Sequence, residues 1–576
     1  SSGKFQPRKD QLVRIAPVFI EMGCFARVET NGGAFEQVNL LAGENPNESV
    51  RAYTKILHEA GIKTHMLDRG LNALRMYPVP DDVRAMMYRV KHAQGVDITR
   101  LFDGLNDIRN IAPALKWAKE AGMTPQGTLC ITTSPVHTIE YYCKLADEEI
   151  AAGAEELCLK DMAGIGQPAF LGELTRRIKE KHPDVLLEYH GHSGPGLSMA
   201  SMLEVAKNGI DILDVAIEPL SWGKVHPDII SVQSMLKHAG FDVPEINMDA
   251  YMEARAMTQE FIDEWLGYFI NPANKHMSSL LLTCGLPGGM MGSMMADLGG
   301  MRTTINNLRK KKGDAELSMD DLLIKLFDEV AYVWPRVGYP PLVTPFSQYV
   351  KNIALMNLLT MEQGKGRFVM MDDNMWGMIL GKSGRVPGEL APEIIELAKQ
   401  QGREFTDIDP HTQLQPALDD FRKEMDENGW DYGQDDEELF ELAMHPEQYR
   451  NYRSGQAKKN FLADLQAAKD AKLGSKVSLE EATAFKHAQA DAIVSPVKGQ
   501  IFWDFQGDGE TAPAVEPYIG KEYKEGDVFC WIQAPWGEFV EVKANLGGKL
   551  VEINARQGGK VQKGNVIAYI QREKQN

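Results

Sequence analysis

A chain of 576 residues, 43% of them hydrophobic, is long enough to build several packed domains. Its formal net charge of −19 argues against nucleic acid and anionic membrane surfaces as partners, because both require clustered positive charge. No run is apolar enough for a membrane span, since the best candidate, Ser278–Met295, is broken by Gly285, Pro287, Gly288 and Gly289. The six cysteines form no CxxC pair and no signal peptide is evident, so the expectation is a soluble cytoplasmic protein with reduced thiols.

The opening Ser1-Ser2-Gly3-Lys4 reads as a loop between a strand and a helix, and a helix follows from Asp10 to Met22. Short apolar runs then alternate with amphipathic helices. The runs are Cys24–Thr30, Thr64–Gly70, Ile98–Gly104, Gln126–Thr132, Glu156–Ala163, Leu186–His192 and Ile212–Pro219; helices such as Asp107–Ala121, Thr138–Ala152 and Phe170–Lys181 lie between them. This alternation predicts an α/β fold with parallel strands and right-handed crossovers. Polar residues at the strands' C-terminal ends favour a (β/α)8 TIM barrel over a doubly wound sheet, because barrel active sites are built there. Seven strands are visible, and the first of eight is expected upstream of Ser1.

Residues 1–235 are assigned to the barrel and 236–453 to a helical domain, with helices expected at Asp249–Tyr268, Ser318–Val333, Ala391–Gln400 and Gln415–Asn428. The acidic stretch Asp407–Glu447 is expected to be a solvated surface. Residues 454–489, rich in Ala and Lys, read as a linker. Residues 490–573 switch to short strands with Gly turns and predict a compact all-β module.

Three strand ends carry candidate chemistry. His190 and His192 are two apart on a strand, so both imidazoles point the same way, either as metal ligands or as a hydrogen-bonded pair. Lys160 follows an apolar lead-in. Buried in a barrel it becomes a nucleophilic amine able to form a carbamate; at the rim it would pair with Asp161 or Asp103. Arg69 can hold a small carboxylate through paired hydrogen bonds, or form a structural ion pair with Asp68 or Asp103.

At these residues the chain resembles the carboxyltransferase family that includes the oxaloacetate decarboxylase alpha subunit and the carboxyltransferase half of pyruvate carboxylase. The resemblance rests on His65–Asn72, Leu101–Asp107, Ser134–Tyr142, Lys160–Gly164 and the histidine pair. It continues through Leu286–Met290 and Gly338–Pro345 in the helical region. It implies a divalent metal, usually zinc with manganese or cobalt as alternatives, on Lys160 (as its carbamate), His190, His192 and an aspartate. It also implies that Arg69 grips the pyruvate carboxylate, with Asn72 and Tyr77 lining the pocket, in a homo-oligomer fed by carboxybiotin.

Three departures qualify the resemblance. The family's aspartate ligand belongs to an Arg-Asp-x-x-Gln-Ser loop, which is expected upstream of Ser1. The segment Ser221–Pro227 contains no threonine where the family shuttles a proton, leaving Lys224 as the candidate. The C-terminal module is similar to a biotinyl domain, yet Pro535-Trp536-Gly537 stands where the biotin-bearing lysine belongs. Carboxybiotin is therefore expected on a separate biotin carboxyl carrier protein. The alternatives are a non-catalytic assembly subunit of a carboxylase complex and a biotin-independent metal-enolate lyase.

Overall fold

The computed structural model describes residues 7–270, 275–286, 291–471, 490–503, 517–535, 537–555 and 559–571. Ser1-Ser2-Gly3-Lys4, Pro287–Met290, linker residues 472–489 and Trp536 lie outside them. Two units are described separately, Ser1–Leu465 and Gln466–Asn576.

Seven parallel strands pair in chain order to form one sheet. They are β1 (Arg27–Gly32), β2 (Lys63–Asp68), β3 (Ile98–Phe102), β4 (Thr124–Cys130), β5 (Glu156–Asp161), β6 (Leu186–Gly191) and β7 (Ile212–Leu213). Each falls within a few residues of its predicted run. The shortest, β7, continues as an extended stretch bridged at Ala216 to Asp228. The intervening helices begin where local chemistry starts them: Thr138 accepts from the Tyr141 N–H to cap Ile139–Ala151, and Pro168 opens Pro168–Lys181.

Side-chain contacts across the lumen show that the sheet is curled. Neighbouring strands lie about 4.8 Å apart, so β1 and β6 of a flat sheet would be separated by roughly 24 Å. Arg27 Nη1 on β1 nevertheless lies 2.7 Å from Glu156 on β5 and 3.2 Å from Glu188 on β6. The structure thus has the TIM-barrel curvature expected, with a layer of side chains filling its interior.

That layer is ionic. Arg100 on β3 donates to Gln126 at 2.7 Å and pairs with Glu188 and Asp214, each at 2.7 Å. Gln126 in turn donates to Glu156 and Glu188. Arg100 is fully buried, so deleting its charge would leave Asp214 without its arginine partner, while Glu188 keeps Arg27. Arg100→Met is expected to destabilise the barrel by about 3–5 kcal/mol, read as a lower denaturant midpoint.

Helices Met319–Arg336, Phe346–Glu362, Asp373–Ile379 and Pro392–Gln400 build a second core that also takes in Leu105 from the loop after β3. Val343 packs with Phe102 and Cys130, so this helical region meets the C-terminal ends of β3 and β4. The acidic stretch departs from expectation, because it is not solvated throughout. Helix Glu437–Met444 is buried along its length, and Leu439, Phe440, Leu442 and Met444 join the barrel's own core. Apolar burial of those four side chains outweighs the local acidity, because Glu437, Glu438 and Glu441 find polar or cationic partners on the barrel.

The C-terminal unit contains β8 (Ala490–Val494), β9 (Gly499–Phe502), β10 (Glu522–Tyr523), β11 (Val528–Gln533), β12 (Phe539–Lys543), β13 (Gly548–Ile553), β14 (Lys560–Val561) and β15 (Val566–Gln571). They form two four-stranded sheets, β10-β13-β15-β8 and β12-β11-β9-β14. Gln533 opposes Phe539 at the β11–β12 hairpin tip, whereas Lys543 opposes Val528 at the other end of that ladder. Lys543 is thus far from the tip and pairs with Glu541 at 3.1 Å. Among the described residues, no helix is long and apolar enough to cross a membrane.

Candidate active site and metal centre

Alternation along the strands sends Glu156, Cys158 and Lys160 of β5, and Glu188 and His190 of β6, to the same side. The lower members join the ionic layer and the upper ones reach the rim. Lys160 is buried, with Nζ 3.3 Å from His190 Nε2 and 5.5 Å from the Phe102 ring centroid. Among the described residues it has no salt bridge. Asp161 accepts instead from the Ile165 and Gly166 N–H groups, and Asp103 from the Leu105 and Asp107 N–H groups and Asn110. Burial, reinforced by Arg100, lowers the Lys160 pKa toward a neutral amine.

His190 and His192 come together with Nε2 atoms 3.1 Å apart. A third imidazole, His226, completes a group whose ligand atoms lie within 4.8 Å of one another. Sequence reasoning missed His226. It lies in Ser221–Pro227, where a turn with positive φ at Trp222 (69°) and Gly223 (57°) returns it to the histidine pair.

Each ring has a partner that fixes its orientation. His190 Nδ1 donates to Asp214 at 2.6 Å, His226 Nδ1 donates to the Gly191 carbonyl at 3.0 Å, and His192 donates to the Lys224 carbonyl. Protons assigned to those nitrogens leave the Nε2 lone pairs of His190 and His226 available on the shared side. Burial pushes all three below the ordinary histidine value, which favours the neutral imidazole. Burial opposes the Asp214 charge, but Arg100 and His190 hold its pKa well below the usual carboxylate range. Neutral imidazoles braced by a carboxylate and carbonyls are a donor set suited to a divalent metal such as zinc. The residues present fit such an ion.

Arg69 follows β2, mostly buried, with Nη1 donating to the Arg75 carbonyl at 3.3 Å. Among the described residues it has no carboxylate partner. Asp68 instead accepts from Tyr88, and Asp103 serves its own loop, so neither expected ion pair forms. Gly33 makes room for this guanidinium, since a Cβ there would overlap Arg69 Nη1. Gly33→Ala is therefore expected to displace Arg69 and raise the KM for any carboxylate it holds, measured by steady-state kinetics.

The remaining expected residues are dispersed. Asn72 ends a short turn of 3-10 helix, Gly70–Asn72, beside Arg69. Tyr77 is 55% exposed and stacks with the Arg75 guanidinium 4.3 Å from its ring centroid. Lys224 lies on the loop beside His192, and burial lowers its pKa. Its observed contribution to the histidine group comes from its backbone carbonyl. A cavity of about 250 Å³ opens between barrel loops at Thr133, Ile165 and Gln167 and the helical residues Gly285, Trp334 and Tyr339.

The chain is similar to several known proteins. Residues 282–492 match the family model described as the conserved carboxylase domain. The chain is 30% identical to a pyruvate carboxylase subunit of Methanothermobacter thermautotrophicus over 439 residues, 76% of this chain and 72% of that protein. It is 31% identical to the methylmalonyl-CoA carboxyltransferase 5S subunit of Propionibacterium freudenreichii over 390 residues, covering 66% and 71%. The carboxyl transferase domain of Rhizobium etli pyruvate carboxylase, solved with pyruvate, superimposes with a TM-score of 0.64 at 22% identity, covering 79% of this chain and 74% of that one. The chain belongs to the biotin-dependent carboxyltransferase family, whose members include the Methanothermobacter pyruvate carboxylase subunit and the methylmalonyl-CoA carboxyltransferase 5S subunit.

Proposed function

We propose that this subunit transfers a carboxyl group between pyruvate or oxaloacetate and carboxybiotin delivered by a separate carrier protein. The observation that carries the reading is the convergence of Lys160, His190 and His192 at the rim, with Arg69 ending another strand of the same barrel. The relatives' names supply the substrate class.

Lys160, His190 and His192 would hold a divalent ion, zinc by donor type with manganese or cobalt as alternatives, and His226 adds a further candidate ligand. Bound there, the ion supplies Lewis acidity toward a keto oxygen. The Lys160 amine adds CO2, forming one N–C bond and releasing one proton, and the resulting carbamate offers anionic oxygens beside His190. Arg69 orients the substrate carboxylate through its forked N–H groups, with Asn72 beside it. Lys224 is the candidate to move a proton at the biotin side, since its lowered pKa brings it nearer to working range. We assign the protein to a reducing, cytoplasmic setting and at least a homodimer, on the cysteine pattern and the family's habit.

A second reading, a non-catalytic assembly subunit, is favoured by the altered Ser221–Pro227 loop and the missing biotin lysine. Oxaloacetate decarboxylation with a biotinylated carrier separates the two. Carrier-dependent turnover is expected; an inert full-length protein contradicts transfer, and turnover independent of the carrier points to a lyase instead. An avidin blot of the purified chain should be blank even after co-expression with a biotin ligase, and a positive band would refute carrier delivery in trans.

A further inference from the structure

Away from the rim, a buried ionic cluster forms where helices Gly33–Leu41, Asp81–Ala93 and Glu437–Met444 meet. Lys91 is fully buried. Its Nζ lies 2.7 Å from Glu36 and 3.4 Å from Glu441, donates to Gln94 at 3.0 Å, and sits 4.7 Å from the Phe440 ring centroid. Ligand atoms of Glu36, Glu441 and His445 lie within 4.8 Å of one another. The ammonium already bridges both carboxylates, however, so the cluster has its cation and acts as a clamp on the third helix.

The C-terminal end of that helix meets the loop after β2. The last carbonyls of a helix have no partner inside it, and here Ala443 and Met444 accept from Arg75 Nη1 at 3.5 and 3.4 Å. Arg75 also donates from Nε to the Tyr77 carbonyl at 3.4 Å and from Nη2 to the Pro78 carbonyl at 2.8 Å. Its own carbonyl accepts from Arg69 Nη1 at 3.3 Å. A planar guanidinium presents five donors in a rigid fork, so one side chain fastens helix end and loop together. The positive charge at a helix C-terminus is favourable as well.

We propose that Arg75, with the Lys91–Glu36–Glu441 clamp behind it, is a positioning residue for carboxyl transfer: it holds the Arg69 loop in the conformation that receives the keto-acid carboxylate. The segment 437–445 thereby takes part in substrate binding without touching substrate. This rests on the reading of Arg69 as the carboxylate grip.

The test is steady-state kinetics of the full chain on oxaloacetate with a biotinylated carrier. Arg75→Met should raise KM about tenfold, within the range that small misplacements of a binding group produce, with kcat little changed and the thermal midpoint lowered by the loss of the helix-end bonds. Arg75→Lys, which keeps a donor for the helix carbonyls, should recover part of that loss. Lys91→Met combined with Glu36→Gln and Glu441→Met, which leaves no buried carboxylate unpaired, should shift KM the same way, whereas a role confined to stability would lower the thermal midpoint and leave KM alone. Unchanged KM in Arg75→Met, alongside a raised KM in Arg69→Gln, overturns the positioning role and spares the Arg69 reading. Unchanged KM in Arg69→Gln overturns both.

Discussion

Lys160→Ala is expected to lower carboxyl transfer by at least about 10³-fold, equivalent to roughly 4 kcal/mol of lost transition-state stabilisation. The size of the effect follows from position. The amine is buried beside His190, is engaged in no salt bridge among the described residues, and has a pKa lowered by burial. A lysine kept there for stability would have a carboxylate partner, since an unpaired buried ammonium is costly. The thermal midpoint should therefore hold or rise in the variant while activity collapses. Activity within tenfold of wild type would show that Lys160 carries no chemistry.

Arg69→Gln is expected to raise the KM for oxaloacetate by about 30- to 150-fold, matching the roughly 2–3 kcal/mol carried by hydrogen bonds to a charged group. The guanidinium is desolvated, with Asp68 as a nearby acid that instead accepts from Tyr88. A desolvated cation without a direct partner attracts an anion strongly. Arg69→Lys should recover only a fraction, because an ammonium cannot reproduce two parallel N–H bonds. Equal KM values for wild type and Arg69→Gln, measured with saturating carrier, would remove Arg69 from substrate binding.

The barrel was legible because apolar runs and amphipathic helices alternate at a regular pitch, and β1 to β6 fall close to the predicted runs. His190, His192 and Lys160 were legible because each ends such a run. His226 was not, since its approach depends on a left-handed turn at Trp222 that spacing alone does not encode. Asp214 and Arg100 did carry a signal: each is a charged residue inside or just after an apolar strand, where only a partner across the lumen makes the charge tolerable. Glu437–Met444 was misread because its acidic residues drew more weight than Leu439, Phe440, Leu442 and Met444, which decide its burial. Arg75 has no local pattern at all. Its partners at Ala443 and Met444 are far away in the chain, and only the folded structure brings them together.

The most direct test is the metal content of the purified full-length chain beside that of a His190→Ala/His192→Ala double variant. Elemental analysis should find about one divalent ion per native chain and almost none in the variant, with oxaloacetate turnover lost in parallel. A native chain that turns over oxaloacetate at full rate after exhaustive chelation, with no ion detected, would contradict a metal-centred mechanism.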